Sequence, residues 1–374
     1  MPSELRLRAT PVLRCRGVIA FVCAAVTASQ GWAGEVLYNG IELPGQWPPE
    51  YDRNPREPMP TPYLEDPPAV IPIDVGRQLL VDDFLIEKTT LKRAFHTPEY
   101  HPANPVLKPD KPWENKSVGW FASPFSGGAW YDPADRLFKL WYTGGFLSST
   151  CYATSRDGIR WEKPALDVES GTNIVLEPVK TGRRRVDTTT VWLDLETRDS
   201  KQRFKYFATE AGGGWGMTYR TSSGGWDADA ATGLAILRRD GFASMDAGRS
   251  GGTLTTRPMT FKGSRLFVNV DCPEGALKAE ALDTQGRVVE PFSAENCTPL
   301  ATDGTRAAVT WKATKDLSAL AGKPVRFRFH LTNGSLYAFW VSPDKSGASH
   351  GYVAAGGPGF TGPTDTVGGK GRLK

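Results

Sequence analysis

The 374-residue sequence predicts an all-β protein: blade-like antiparallel units followed by a β-sandwich. Three observations carry this. No long stretch after the first 33 residues shows helical periodicity, while short apolar runs, 40 Gly and 40 aromatic residues punctuate the chain. One phrase is written twice, as "CYATSRDGIRW" from Cys151 to Trp161 and "MTYRTSSGGW" from Met217 to Trp226. The last third alternates polar and apolar residues with period two over roughly 110 residues, the pattern of two facing sheets.

The first 33 residues read as a leader. Arg6, Arg8, Arg14 and Arg16 precede an apolar run from Gly17 to Ala28, and Gly31 and Ala33 flank Trp32 before Gly34. The run is about a dozen residues against roughly twenty needed to cross a bilayer, so no membrane span is expected and export to the periplasm or medium is. Removing residues 1–33 takes away four Arg and one Glu and lowers the formal charge from +4 to +1. A nucleic-acid partner then has no electrostatic support.

Between Pro44 and Pro72 about every third residue is Pro, so residues 34–75 are expected to avoid helix and central strand and to run as an extended arm or linker. "RQLLVDDFLIE" follows and reads as a strand buried on both faces. Neighbouring side chains on a strand face opposite ways, so one of Asp82 and Asp83 would point inward.

The repeat extends beyond the phrase. Trp130-x-Asp132 answers Trp192-x-Asp194, Phe138-Lys139 answers Phe204-Lys205, and Tyr152 answers Tyr219, at offsets of 62, 66 and 67 residues. Similar offsets at several anchors mean one repeated unit. Each unit reads as "AWYD", a polar turn, "LFKLWYTG", "CYATS", a turn at Asp157-Gly158, then "IRWEKP" as the fourth strand of an antiparallel blade. Asp-Gly suits a tight hairpin because both residues tolerate positive φ. Trp161 would then pack between neighbouring units.

Blades ending "TSRDGIRWEKP" and preceded by "NPVLKPDKPWE" resemble the five-bladed propellers of glycoside hydrolase families 32 and 43, and "NPVL" followed by Trp-Glu is similar to the family 130 glycoside phosphorylases. The likeness covers residues 76–226 and implies a sugar partner, an oligosaccharide or polysaccharide. It also implies three carboxylates around an axial funnel, where one protonates the leaving oxygen while another attacks or activates water. Asp187, five residues before Trp192, matches the family's second-blade stabiliser, with Val186 and Thr188 departing from its neighbours. The blade-one nucleophile is replaced by Ser123 in "FASPFSGG". Asp83, with a structural salt bridge or barrel-closure role as its alternative, and Glu114, in the loop entering blade one at a funnel-rim position, are the carboxylates that could substitute. Trp113, Trp120 and Arg185 are the candidate sugar-binding residues; Arg183, Arg184 and Arg185 could meet an anionic sugar, although such a run is more often a solvated loop. No cofactor is implied. His96, His101, His330 and His350 lack metal-ligand spacing, so no metal site is expected either.

After Trp226 the unit does not recur, so residues 76–232 hold about two of the five blades and an incomplete ring, with a join near residues 224–232. Closed propellers need at least four blades, so open edges and self-association are expected. Residues 233–345 read as the sandwich, expected to fold alone, with Asn333-Gly334 as a hairpin turn. Trp311 and Trp340 are either core or sugar-binding, Cys272 and Cys297 either paired or buried thiols, and Cys151 a small buried apolar residue. Residues 346–374 read as a partly disordered Gly-rich tail. Two functional classes remain: a glycoside-cleaving enzyme, and a noncatalytic carbohydrate-binding or cell-surface protein that has lost its catalytic set.

Overall fold

The computed structural model describes residues 34–46, 56–116, 119–124, 128–146, 148–176, 185–199, 202–211 and 231–366, with backbone only at 185–189 and 206–211. Residues 1–33, where a leader is expected, and the second copy of the phrase, 217–226, lie outside the described residues. The N-terminal strands are β1 (Ile71–Pro72), β2 (Gln78–Leu79), β3 (Ile86–Thr89), β4 (Lys92–Phe95) and β5 (Glu99–Tyr100). The middle of the chain forms β6 (Asn115–Lys116), β7 (Gly119–Trp120), β8 (Ala122–Ser123), β9 (Ala129–Asp132), β10 (Leu137–Gly144), β11 (Ser149–Ser155), β12 (Ile174–Leu176), β13 (Arg185–Leu193) and β14 (Phe204–Ala211). The rest supplies β15 (Ala235–Ile236), β16 (Ala243–Ala247), β17 (Gly252–Thr256), β18 (Met259–Thr260), β19 (Arg265–Asp271), β20 (Ala276–Leu282), β21 (Asp303–Ala308), β22 (Arg326–Thr332) and β23 (Gly334–Ser342). The protein is nearly all β, in several sheets with no barrel.

Two sheets share the larger core. One runs β21-β19-β23-β16-β4, with β2 also on β23; the other runs β20-β22-β17-β3. Alternation sets their inner faces: in β22, Phe327, Phe329 and Leu331 join the apolar cluster while Arg326, Arg328 and His330 lie on the other face. β23 departs from alternation. A register shift opposite Asn269 and Val270 leaves Tyr337 unpaired on β19, so Leu336 and Phe339 both enter the cluster. From Leu336 to Ser342 every residue of β23 is buried.

The pairing corrects several expectations. β2, β3 and β4 hydrogen-bond to β23, β17 and β16, so residues 78–95 belong with the C-terminal sheets rather than with the blades. The stretch "LLVDDFLI" is not one strand. Residues 81–85 form a bend, because the Asp82 carboxylate accepts a bond from Phe84 N (2.9 Å) and turns the chain before β3 begins. Asn333-Gly334 makes no hairpin: β22 and β23 lie in different sheets, and the link crosses the core with Asn333 at φ 46°. Gly334 is needed for space, since a Cβ there would lie 2.5 Å from Cys272 Cβ. The Pro-rich arm contains one helical turn, Pro62–Glu65, where Pro62 occupies a first-turn position that needs no N–H donor. The described part of the Gly-rich tail, 346–366, folds back, and its Ala355 carbonyl accepts a hydrogen bond from Tyr131 N at 2.9 Å. Cys151, Cys272 and Cys297 are buried free thiols, so the 272–297 disulfide does not form.

The middle sheet is β12-β11-β10 with β8 and β9 on the far side of β10, and it has its own cluster of Leu107, Ala122, Leu140, Tyr142, Cys151, Ala153 and Ile174. Its fourth strand is β12, not "IRWEKP", which makes only the bridge Thr154–Glu162. Of Asp157 and Gly158 only the glycine has positive φ, and the Asp157 carboxylate caps Ile159 N and Arg160 N in a wide loop. The repeat is visible in register: Trp130 pairs with Lys139 across β9–β10, and Trp192 with Lys205 across β13–β14. Trp161 packs against the middle cluster.

This middle region enters and leaves at one stem. β5 pairs with β15, Leu107 bridges Thr232, and the Asn104 side chain bonds both Leu234 O (2.7 Å) and Leu234 N (2.6 Å). Because β2, β3 and β4 complete the sheets, a fragment of residues 235–345 should lack a cooperative thermal transition. A variant in which a short Gly-Ser linker replaces residues 105–231 should keep one. Cooperative unfolding of the fragment alone would contradict the pairing.

Candidate functional site

The densest polar arrangement in the middle region surrounds Glu114. Pro112–Glu114 is a single 3-10 turn, begun at a Pro and closed by the Glu114 carboxylate, which accepts from Asp110 N (2.6 Å) and Lys111 N (2.8 Å). The same carboxylate, fully buried, accepts from Tyr142 Oη (2.6 Å) and from Lys163 Nζ at 2.7 and 2.8 Å. Lys163 Nζ also reaches Asp110 Oδ1 and Lys108 O, both at 2.7 Å. Asn173 closes the network by donating to Tyr142 Oη (2.7 Å) and accepting from Trp113 Nε1 (2.9 Å). Gly144 is required beside it, because a Cβ there would sit 2.5 Å from Cys151 Sγ. Burial, and next the Glu114 charge, push the Cys151 thiol up to about 12. Burial likewise raises Tyr142, which stays a neutral donor.

Chemically, Glu114 is saturated. Both oxygens are occupied by charged or short hydrogen bonds, so taking or giving a proton would break the network. Trp113 shares this network. Trp120, in β7 opposite Asn115, is 39% exposed. Asp83 is elsewhere, on the 81–85 bend with its side chain 67% exposed and paired to Arg93; it is not an inward mid-strand residue. Arg185 and Asp187 lie in β13, where a register shift between Val186 and Thr189 places Asp187 in a bulge; their side chains fall outside the described residues. Trp311 belongs to the large apolar cluster and Trp340 is buried on the other face of β23, their ring nitrogens donating to Ala279 O and Gly347 O.

A second charged group was not singled out as a site from sequence, although the repeat contained it. Buried Asp132 accepts from Lys139 Nζ (2.8 Å), Arg203 Nη2 (2.5 Å) and Ala134 N (3.0 Å). Lys205 stands 3.5 Å from Asp194, the equivalent pair in the second unit. Burial disfavours the Asp132 carboxylate, but the bonds from Lys139 and Arg203 outweigh it and hold its pKa below the ordinary range. Arg203 and Trp130, whose Nε1 donates to Val191 O at 2.6 Å, tie the two units together. Beside this tie is a cleft of about 230 Å³ lined by Trp130, Tyr131, Trp192, Asp194, Glu196 and Tyr352. Trp192 is 46% and Tyr352 66% exposed.

No family model and no curated protein matches the chain. Among the described residues no three His, Cys, Asp or Glu side chains gather as metal ligands, and no helix is long and apolar enough to cross a membrane.

Lys163→Met leaves the Glu114 charge buried without its cation and should lower unfolding free energy by about 3–5 kcal/mol in urea titrations. For Asp132 the sign is fixed by its depressed pKa. Its stabilisation is complete above the ordinary Asp value of about 4 and is lost as pH falls through the lower folded value. Asp132→Asn should therefore lower stability at neutral pH and flatten the decline below about pH 4. An acid limb identical to that of the parent would show that Asp132 does not drive it.

Proposed function

We propose that the chain is an exported carbohydrate-active protein that holds an oligosaccharide or polysaccharide without cleaving it. The leader pattern of residues 1–33 supports export. In this reading the middle sheet and the β13–β14 pair are two blades of a family 32/43-like propeller, and the two facing sheets are its sandwich. The shared register of Trp130–Lys139 and Trp192–Lys205 supports a common unit. The unpaired edges that two blades leave favour association with further copies.

The observation that carries binding over hydrolysis is the state of Glu114. Glycosidic cleavage needs one carboxyl free to protonate the leaving oxygen and a second facing the sugar. Of the candidate carboxylates with described side chains, Glu114 is locked by Lys163 and Tyr142, and Asp83 lies on a different sheet system paired to Arg93. The Trp192 cleft suits a sugar instead. Exposed aromatic faces accept the apolar side of a pyranose, while Asp194 and Glu196 at the rim offer acceptors to its hydroxyls.

One observation favours the hydrolytic alternative: bulges re-aim side chains beside active sites, and Asp187 lies in one. On any glycoside that the parent cleaves, Asp187→Asn should then lower kcat by about two orders of magnitude. The binding reading expects no reducing ends after prolonged incubation. It also expects Trp192→Ala to weaken retention in polysaccharide affinity gels about tenfold, with thermal stability unchanged. Unaltered retention would remove the cleft from the reading, and parent turnover abolished by Asp187→Asn would replace binding with catalysis.

A further inference from the structure

A second cleft, about 530 Å³ in volume, has Arg77, Arg239, Asp240 and Asp365 among its walls, with Tyr38 and Tyr352 at its rim. The Arg77 guanidinium carbon lies over the Trp340 ring on the outer face of β23, 4.0 Å from the ring centroid. Its Nη1 donates to Asp240 Oδ2 (2.9 Å) and to Thr305 O (2.7 Å). Asp365 is loaded on one side only: Oδ2 accepts from Arg239 Nη2 (2.9 Å) and Ser349 Oγ (3.0 Å). Arg77 Nη2 stands 3.8 Å from that same oxygen, too far for a hydrogen bond.

The other edge of this group has no protein partner. Five buried side-chain polar atoms among the described residues lack a hydrogen-bond partner, and three are Arg77 Nε, Arg77 Nη2 and Asp365 Oδ1. Their side chains are 4% and 1% exposed. Buried polar atoms are nearly always satisfied; these three open no surface to the cleft at rest, so a ligand that satisfies them must part the Arg77 and Asp365 side chains as it enters. The chemistry of the ligand follows from what is bare. Two donors and one acceptor must be met together; the four charged side chains beside them balance, two positive and two negative, and the cleft's further carboxylate, Asp82, already accepts from Tyr63 Oη and Phe84 N, both at 2.9 Å. An anion would satisfy Arg77 and repel Asp365; a cation would do the reverse. A hydroxyl both accepts and donates, and a neutral polyol brings several. Burial lowers the Arg77 pKa only to about 10, so the guanidinium keeps its charge at neutral pH. Tyr38 and Tyr352, each 66% exposed, supply ring faces for the apolar side of a sugar.

We propose that this cleft is a second sugar subsite, taking a neutral mono- or disaccharide unit whose hydroxyls join Arg77 to Asp365 and whose ring lies against Tyr38 or Tyr352. It rests on the carbohydrate reading above and extends it, because Tyr352 lines both clefts and places the two along one possible glycan path. The walls are held close by glycine: a Cβ on Gly351 would meet Gly76 Cα at 2.7 Å, so the 349–353 segment sits this near the Arg77 segment only because residue 351 lacks a side chain.

The test is isothermal titration of the chain from Gly34 onward with D-glucose, D-galactose, D-mannose, D-xylose, D-fructose, cellobiose and maltose. At least one should bind. Asp365→Asn should weaken that binding about tenfold and Tyr38→Ala about threefold, while Trp192→Ala leaves it within about twofold. Tyr38 is a rim residue, so its variant decides the matter if Asp365→Asn lowers the melting temperature. Binding lost with Trp192→Ala but untouched by both other variants would leave the first cleft standing and overturn this subsite. Absence of binding by all seven sugars, or displacement of a bound sugar by sulfate, would overturn it as well.

Discussion

The burial of β23 on both faces is the constraint on which the remaining structure depends. Its inner side chains fill the cluster between the two large sheets, and its outer face carries Trp340, too large an apolar surface to leave in water. That outer face is covered by residues remote in sequence: Arg77 over Trp340, Arg238 at 4.6 Å over Tyr337, and Gly347, whose carbonyl takes the Trp340 Nε1 proton. Segments from both sides of the middle region are therefore drawn onto one strand. The strand's edges impose the same demand, since β19 fills one and β16 and β2 share the other.

This explains what could and could not be seen in the sequence. All-β character was legible, because "LFKLWYTG", "RLFVNVD" and "VRFRFHLT" have strand length and residue type. Pairing was not. Alternation specifies which side chains point inward and says nothing about which neighbour fills an edge, so residues 78–95 looked like the start of the blades. The two local misreadings have local causes. Asp82 satisfies the backbone of Phe84 and makes a bend where hydrophobicity alone suggested a strand. Asn333-Gly334 has hairpin residues, yet the glycine serves a close approach to Cys272, and the flanking strands diverge into different sheets.

Among the described residues three carboxylates, on Glu114, Asp132 and Asp365, are wholly buried, and they differ in how the burial is offset. Glu114 and Asp132 have donors on both oxygens, including at least one cation each. Such groups hold structure and have little capacity left for a ligand. Asp365 has one oxygen loaded and one bare. No sequence pattern separates these cases, because the difference lies in tertiary contacts. Glu114 drew notice for following a Trp, Asp132 through the repeat, and Asp365 not at all, since it stands in a stretch whose glycines suggested disorder.

The two repeated hairpins show how electrostatics substitutes for a shared sheet. Tyr131 pairs with Phe138 and Leu193 with Phe204, so the second turn is four residues longer than the first. Arg203 lies at the end of that longer turn, and its guanidinium reaches the Asp132 carboxylate of the neighbouring unit, while Trp141 packs on Phe204 with ring centroids 5.2 Å apart. No ladder of backbone bonds joins β9–β10 to β13–β14. The two units therefore meet through side chains, which set a distance without imposing a strand register, and the Trp192 cleft opens beside that seam. The cleft lies beside the ion group, since Trp130 and Tyr131 of its wall immediately precede Asp132. The carboxylate that fixes the seam and the aromatic face that would take a sugar are thus parts of one repeated Trp-x-Asp motif, with Asp132 committed to the junction and Trp192 left to solvent.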